Sequence, residues 1–492
     1  MNATKALQNW IAQLDRRIYA ILIGLAIGIS GGLMGLGIAT IGPLYTLIVA
    51  VALLVGLYLL TDVRAALYIA MTILFLLPFG TLPFKIGFTP TLLDLSLGAF
   101  VMVYLILWMT GRRRNIQLTP PHLFVTLYIM WLIFAFMVGL RYGMPDSNTL
   151  RQFAETLLSI GMVYILVDYL REPRTLRQLV LVILVLVSAQ AFIAIGLYLL
   201  NDATANSILI RLERFGYPGG NVIRYIESDP ALGERAIGTW VDPNTLGGLL
   251  ATSAALFAPQ VFARRPVLRN RWVTMGALLL VGLALVLSSS RASFLAFGAG
   301  LTVIAFIRYR RFLPLLALAA ASLLLLPQTQ NYVDRIFQAF QGADLATQMR
   351  IGEWTDSLEL ISQYPAVGIG FTGTPTAAVY TDVANMYLIM ANKIGLIGVF
   401  FFLLAMAAVF RYGYKAWHYA RNNPELESIH LGYHIALFTA LVNAVADLYF
   451  FRQDFQASIT WFWLIIALCL ASSRLVLQQK EKFTTLDTTI RD

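Results

Sequence analysis

"REPRTLRQLVLVILVLVSAQAFIAIGLYLL", residues 171–200, decides the class of fold. Arg171, Arg174 and Arg177 precede a run without a charge that extends from 178 to 200. As a helix such a run crosses a hydrocarbon core of roughly 30 Å, and cations gathered at one end mark a cytoplasmic boundary. The rest of the chain agrees with this stretch. Of its 492 residues 59% are hydrophobic and 13% charged, and the mean hydropathy is +0.72, which is the usage of a polytopic membrane protein rather than a soluble domain. A β-barrel would show short alternating segments instead.

Apolar runs of this kind predict an all-α protein of about 12 to 14 spans. They lie near 18–39, 41–60, 65–83, 91–110, 121–140, 153–170, 178–200, 237–262, 272–289, 292–307, 312–327, 385–410, 429–449 and 456–474. Alternating spans put every major cationic cluster on one face, from Arg16-Arg17 and Arg112-Arg113-Arg114 to Lys480 and Lys482. That face is expected to be cytoplasmic, with both termini there, and one missed span would scatter the later clusters. The net charge of +10 therefore reads as topology and not as affinity for nucleic acid. The runs 272–289 and 292–307, hinged at "SSSR", are either two spans or a re-entrant pair. The start of the chain shows no cleavable signal, since Asp15-Arg16-Arg17 leads into a full-length span without a small-residue cleavage site.

Cys469 is the single cysteine, which excludes a disulfide framework and a cysteine metal site. His430 and His434 have i, i+4 spacing but no glutamate between them, so they read as a pair at the start of a helix. Two outer segments, 201–236 and 328–384, are too long to be simple connections. In the second, Ile351, Trp354, Leu358 and Ile361 recur at helical spacing in "RIGEWTDSLELISQYP", an amphipathic helix suited to lie at the membrane interface. Pro365 and "GIG" at 368–370 end it.

Cations at outer span ends are not explained by topology, and Arg235, Arg291 and Arg350 are the chief ones. Arginine suits phosphate because its planar fork makes two charge-assisted hydrogen bonds at once. Three arginines from three segments point to an anion held near the headgroups, with no metal required. Neither a DxD motif nor a pair of outer-face carboxylates argues for a divalent ion. Asp242, followed by Pro243, reads as a helix N-cap. Asp447, near Arg452 and Asp454, reads as a structural ion pair, with a contribution to the site as the alternative.

Four ordered stretches carry a resemblance: "RAIGTWVDPNTLGGLLA" at 235–251, "SSSRASFLAFGAG" at 288–300, "RIGEWTDSLELISQYPAVGIGF" at 350–371 and "ANMYLIMANKIGLIG" at 384–398. Over roughly 210–410 the chain resembles the O-antigen ligase and polymerase family. The resemblance implies a GT-C-like glycosyltransferase that needs no metal or other cofactor and works at the outer face of the bacterial cytoplasmic membrane. It implies a polyprenyl-diphosphate-linked glycan as donor, a glycan or lipid as acceptor, the bilayer as surroundings and a chain-length regulator as a candidate partner. Residues 1–200 and 411–492 then read as flanking helical segments around a 201–410 core.

Carried onto this sequence, Arg235 and Arg291 hold the diphosphate, Arg350 shapes the site, and Asn244, Asn385 and Tyr387 face the substrate. The ligases carry a histidine where this chain has Ala384, and alanine cannot accept a proton. Three readings follow: a polymerase that relies on positioning and leaving-group stabilisation, Asp382 as the base, or loss of transfer activity. Polymerisation leads, ligation is second, and a transporter of a small solute or inorganic carbon is the competing class. Transporters place broken helices and paired repeats near the midplane, and the sequence shows no repeat.

Overall fold

The computed structural model describes residues 16–43, 46–47, 50–51, 56, 58, 62–82, 89–111, 113, 115–325, 345–373 and 383–491. Chain contacts divide it into two units, residues 1–66 and 67–492. In the first, α1 (Arg16–Ile41) is an apolar helix on which Ile21, Leu25, Leu33 and Leu36 are exposed. It ends at Gly42, whose φ of 85° the absence of a side chain permits.

The second unit begins within α2 (Val63–Leu76) and continues through α3 (Leu92–Met109), α4 (His122–Gly139), α5 (Ser147–Tyr169) and α6 (Pro173–Leu199). After a short α7 (Asp202–Ile210) come α8 (Pro243–Val261), α9 (Arg271–Leu287), α10 (Arg291–Ile307) and α11 (Leu313–Leu325). The last helices are α12 (Leu345–Gln363), α13 (Met386–Ala420), α14 (Glu427–Asn443) and α15 (Gln456–Arg491). Besides an isolated bridge between Thr81 and Thr91, one antiparallel pair interrupts the helices among the described residues. It joins β1 (Arg224–Tyr225) to β2 (Glu234–Arg235), with Arg224 opposite Arg235.

Six of these helices are long and apolar enough to cross a membrane: Leu92–Met109, His122–Tyr142, Ser147–Tyr169, Pro173–Leu199, Met386–Ala420 and Gln456–Lys480. Their burial is unequal. The apolar part of α15 is enclosed on all sides, and α8 is buried along nearly its whole length. Small residues let these central helices approach closely, because lipid gives no hydrophobic drive and contact must come from packing. A Cβ at Gly247 would lie 2.7 Å from Ser290 Cβ, and one at Gly432 would lie 2.6 Å from the Leu256 carbonyl. Buried polar groups are paired across helices: Trp461 Nε1 donates to Thr252 Oγ1 at 2.8 Å, and the Ser159 and Thr460 hydroxyls meet at 2.8 Å.

Several boundaries differ from the sequence-based expectation: α2 ends at Leu76 instead of 83, α5 and α6 start at Ser147 and Pro173 instead of 153 and 178, and α8 starts at Pro243 instead of 237. α13 runs to Ala420 instead of 410, and α15 runs to Arg491 instead of 474; no proline breaks either helix where the apolar stretch ends. α14 ends at Asn443 instead of 449, which leaves residues 444–455 as an irregular connection. α13 also breaks at Gly395, where φ is 69° and ψ 174°. Broken helices are a transporter feature, but here the loosened carbonyls are occupied by the chain itself. Ile369 N–H donates to Asn392 O, Gly370 N–H to Lys393 O, and Trp131 Nε1 to Ile394 O, at 2.8–2.9 Å.

The amphipathic α12 is oriented by its two faces. Ile351, Trp354 and Leu358 point outward, where lipid would cover them, and Ser357 and Leu360 are buried. Arg350, Glu353, Ser357 and Leu360 recur at spacings of three and four, so the inward stripe of this helix carries charge.

Candidate functional site

The site is built where the β-hairpin meets the start of α8. The Ala236 N–H donates to Leu287 O at 2.9 Å and so fixes β2 against the end of α9. That contact sets Arg235 across the "SSSR" turn. Its Nε donates to Ser288 O at 3.0 Å and its Nη2 to Asn244 Oδ1 at 2.7 Å. Asp242 caps α8 by accepting from the N–H groups of Asn244 and Thr245, at 2.8 and 2.9 Å, as the Asp-Pro pair predicts. The backbone is held in unusual conformations on both sides, with φ of 61° at Val241 and 51° at Ser289. Strain of this kind in a non-glycine residue persists where surrounding contacts over-determine it.

Arg291 is the first residue of α10, directly after that turn. Arg235 and Arg291 are close enough for their charges to act on each other. Burial, with Arg291 adding to it, holds the Arg235 guanidinium below the usual arginine range; Asp242, Tyr449 and Asp447 oppose this. Arg350 reaches the same place from α12, since its charge acts on Asp447 together with that of Arg235. Arg235 and Arg350, far apart in sequence, thus act on one buried carboxyl, and Arg291 acts on Arg235. Asn244 joins them as the acceptor for Arg235.

Asp447 stands in the 444–455 connection and is 5% exposed. Arg452 pairs with Asp454 at 3.0 Å, and the charges of Arg350 and Arg235 act on Asp447, which favours its contribution to the site. Burial first, and then the charge of Asp242, push the Asp447 carboxyl up to about 8, against the pull of Arg350 and Arg235. Tyr449, which the sequence did not single out, hydrogen-bonds to Asp242 and Asn244. The arginines here supply forked donors that suit an anionic ligand.

The segment at 383–388 closes the site from the other side. Ala384 lacks a reactive side chain, but its N–H donates to Glu353 Oε2 on α12 at 3.0 Å. Glu353 lies three residues after Arg350 on the inward stripe, and reading the polar face of the helix would have found it. The Asn385 amide is engaged at both ends: its Oδ1 accepts from the N–H groups of Tyr387 and Leu388, and its Nδ2 donates to Val445 O at 2.8 Å. Tyr387 donates its hydroxyl to Leu441 O at 2.9 Å. These two residues fasten the start of α13 to the end of α14 and to the connection that carries Asp447. Asp382 lies outside the described residues.

The histidine pair sits inside the bundle. His430 meets Ser472 Oγ at 3.2 Å and Gly413 O at 3.1 Å through its two ring nitrogens, and His434 Nδ1 meets His430 O at 2.8 Å.

A family model described as O-antigen ligase matches residues 276–403. The matched segment contains Arg291, Arg350, Glu353, Ala384 and the break at Gly395; Arg235, Asp242, Asp447 and Tyr449 lie outside it. The match supports assignment of the chain to the O-antigen ligase and polymerase family. No curated protein matches the chain.

Proposed function

We propose that this protein transfers glycans from a polyprenyl-diphosphate carrier at the outer face of the bacterial cytoplasmic membrane, within a 201–410 core carried by about 12 to 14 spans. The observation that carries the proposal is that Arg235 and Arg350 both act on the buried Asp447 while Arg291 acts on Arg235, three arginines from three separate segments. A sugar diphosphate is an anion, and the forked donors of the arginines suit its phosphate oxygens. The acceptor hydroxyl attacks the anomeric carbon, the bond from that carbon to the diphosphate oxygen breaks, and configuration inverts. The electron pair leaves with the diphosphate, where fixed guanidinium donors stabilise the charge as it develops. Asp382 is assigned as the group that takes the hydroxyl proton.

Polymerisation, in which the acceptor is the sugar of a second carrier-linked glycan, is favoured by Ala384. Without an imidazole at this position the rate rests on positioning and leaving-group stabilisation. Purified protein given a lipid-linked repeat unit should yield a ladder of longer lipid-linked glycans. Transfer of a finished glycan to a lipid or protein acceptor, without a ladder, would identify ligation instead. Absence of both products, with solute uptake into proteoliposomes, would overturn the proposal.

A further inference from the structure

A second arginine cluster lies at the far end of the bundle. α15 starts at Gln456, beside the candidate site, and Arg474 lies eighteen residues further on, roughly 27 Å away at the helical rise. Arg474 is 3% exposed. Its Nη2 donates to Leu170 O at 2.9 Å, while its Nε and Nη1 are buried without a hydrogen-bond partner. Buried donors left unpaired are costly, and more so where the group is charged.

The nearby carboxylate, Asp168, is already saturated. It accepts from Tyr104 Oη at 2.8 Å, Arg113 Nη1 at 2.9 Å, Arg171 Nη2 at 2.6 Å and Gln117 N–H at 2.7 Å. Arg113, Arg171 and Arg474 therefore stand against a single negative charge, and two positive charges are left over. His122 adds no compensation, and its Nε2 is also buried without a partner. The side chains of Arg113 and Arg171 are 22% and 39% exposed, so the cluster opens to the surface through them. Around that opening the apolar Trp108, Met109, Ile116 and Leu118 are exposed.

We infer that this end of the bundle binds a phosphate oxyanion between Arg113 and Arg171, with Arg474 behind them. The three guanidinia supply the forked donors and the charge that a phosphate group requires. The apolar rim places the opening where acyl chains meet headgroups, so the phosphate is that of an anionic lipid. A free phosphate ion would satisfy the same donors, and the experiment separates the two sources.

Full-length protein is placed in nanodiscs of phosphatidylcholine alone or with phosphatidylglycerol, and the apparent affinity is read from the thermal midpoint against ligand content. Inorganic phosphate is titrated into the phosphatidylcholine discs at constant ionic strength. A response to phosphatidylglycerol identifies the lipid source, and a response to phosphate alone identifies the free ion. R113Q/R171Q should weaken the effective ligand about tenfold. D168N should strengthen it, because the competing carboxylate is removed, and misfolding cannot imitate that gain. R310Q/R311Q, which alters exposed arginines elsewhere, should leave it unchanged. The inference is overturned if neither anion raises the wild-type midpoint beyond an equal ionic strength of chloride, or if the response is the same in R113Q/R171Q and D168N as in the wild type.

Discussion

Replacing Arg235 by lysine separates charge from geometry at the candidate site. The arginine holds Ser288 O at 3.0 Å and Asn244 Oδ1 at 2.7 Å with Nε and Nη2, which leaves Nη1 to meet a ligand. A lysine ammonium keeps the charge but is a single point, and it cannot hold both acceptors and a phosphate oxygen. Each hydrogen bond from a charged donor is worth about 1.5–3 kcal/mol, and the half-buried setting of Arg235 favours the lower figure. Removing one fixed donor to a developing negative charge costs about 10²–10³ in rate, or about 2.7–4 kcal/mol. R235K should therefore fall about 100-fold, and R235A, which also loses the charge, about 1000-fold or more. The assay is the initial rate of ladder formation at varied donor concentration, normalised to folded protein by gel filtration. Loss of kcat together with kcat/KM marks an interaction made in the transition state. If both variants keep their rate per folded molecule within about threefold, Arg235 only anchors the hairpin and the reasoning fails.

The remaining predictions address the groups around it. Asp447 binds its proton more tightly in the folded protein than in the unfolded chain. Its contribution to stability should fall as pH rises from the ordinary carboxylate range to about 8 and level off above that. Ionisation above about 8 also places a negative charge among the arginines, so donor affinity should drop there; D447N should flatten that limb, and an unchanged pH profile would remove Asp447 from the site. E353A leaves the Ala384 N–H without its acceptor and should cost about 1 kcal/mol, read as a lower thermal midpoint, with E353Q restoring most of it. Equal damage from E353Q would mean that charge, and not the acceptor, matters. G395A forces a side chain into a φ of 69° and against the Ala366 carbonyl, at a cost of about 3 kcal/mol or more. It should abolish a monodisperse peak in detergent, and wild-type stability would refute the assigned role of the break.

Much of the fold was legible because lipid imposes a simple code. Apolar runs mark helices, and from 63 onward each predicted run overlaps a helix, although the helices at Ser147, Pro173 and Pro243 start five or six residues from the predicted 153, 178 and 237. Element ends were less legible, since no proline stops α13 or α15 at the membrane boundary. The early end of α14 matters most for the site. A six-residue shortening turned Asp447 from the end of a helix into part of a connection.

The sequence by itself determined that this is a helical membrane protein, and it singled out Arg235, Arg291 and Arg350 because cations at those ends have no topological explanation. It also determined the Asp242 cap, whose hydrogen bonds are local and follow from adjacent residues. Only the tertiary structure decided which polar groups meet. Asp447 came under the charges of Arg350 and Arg235, distant in sequence, Tyr449 joined Asp242 and Asn244, and Glu353 took the N–H of Ala384. Burial and electrostatic pairing act through space, so side chains brought together by helix packing carry no signal in the order of the chain.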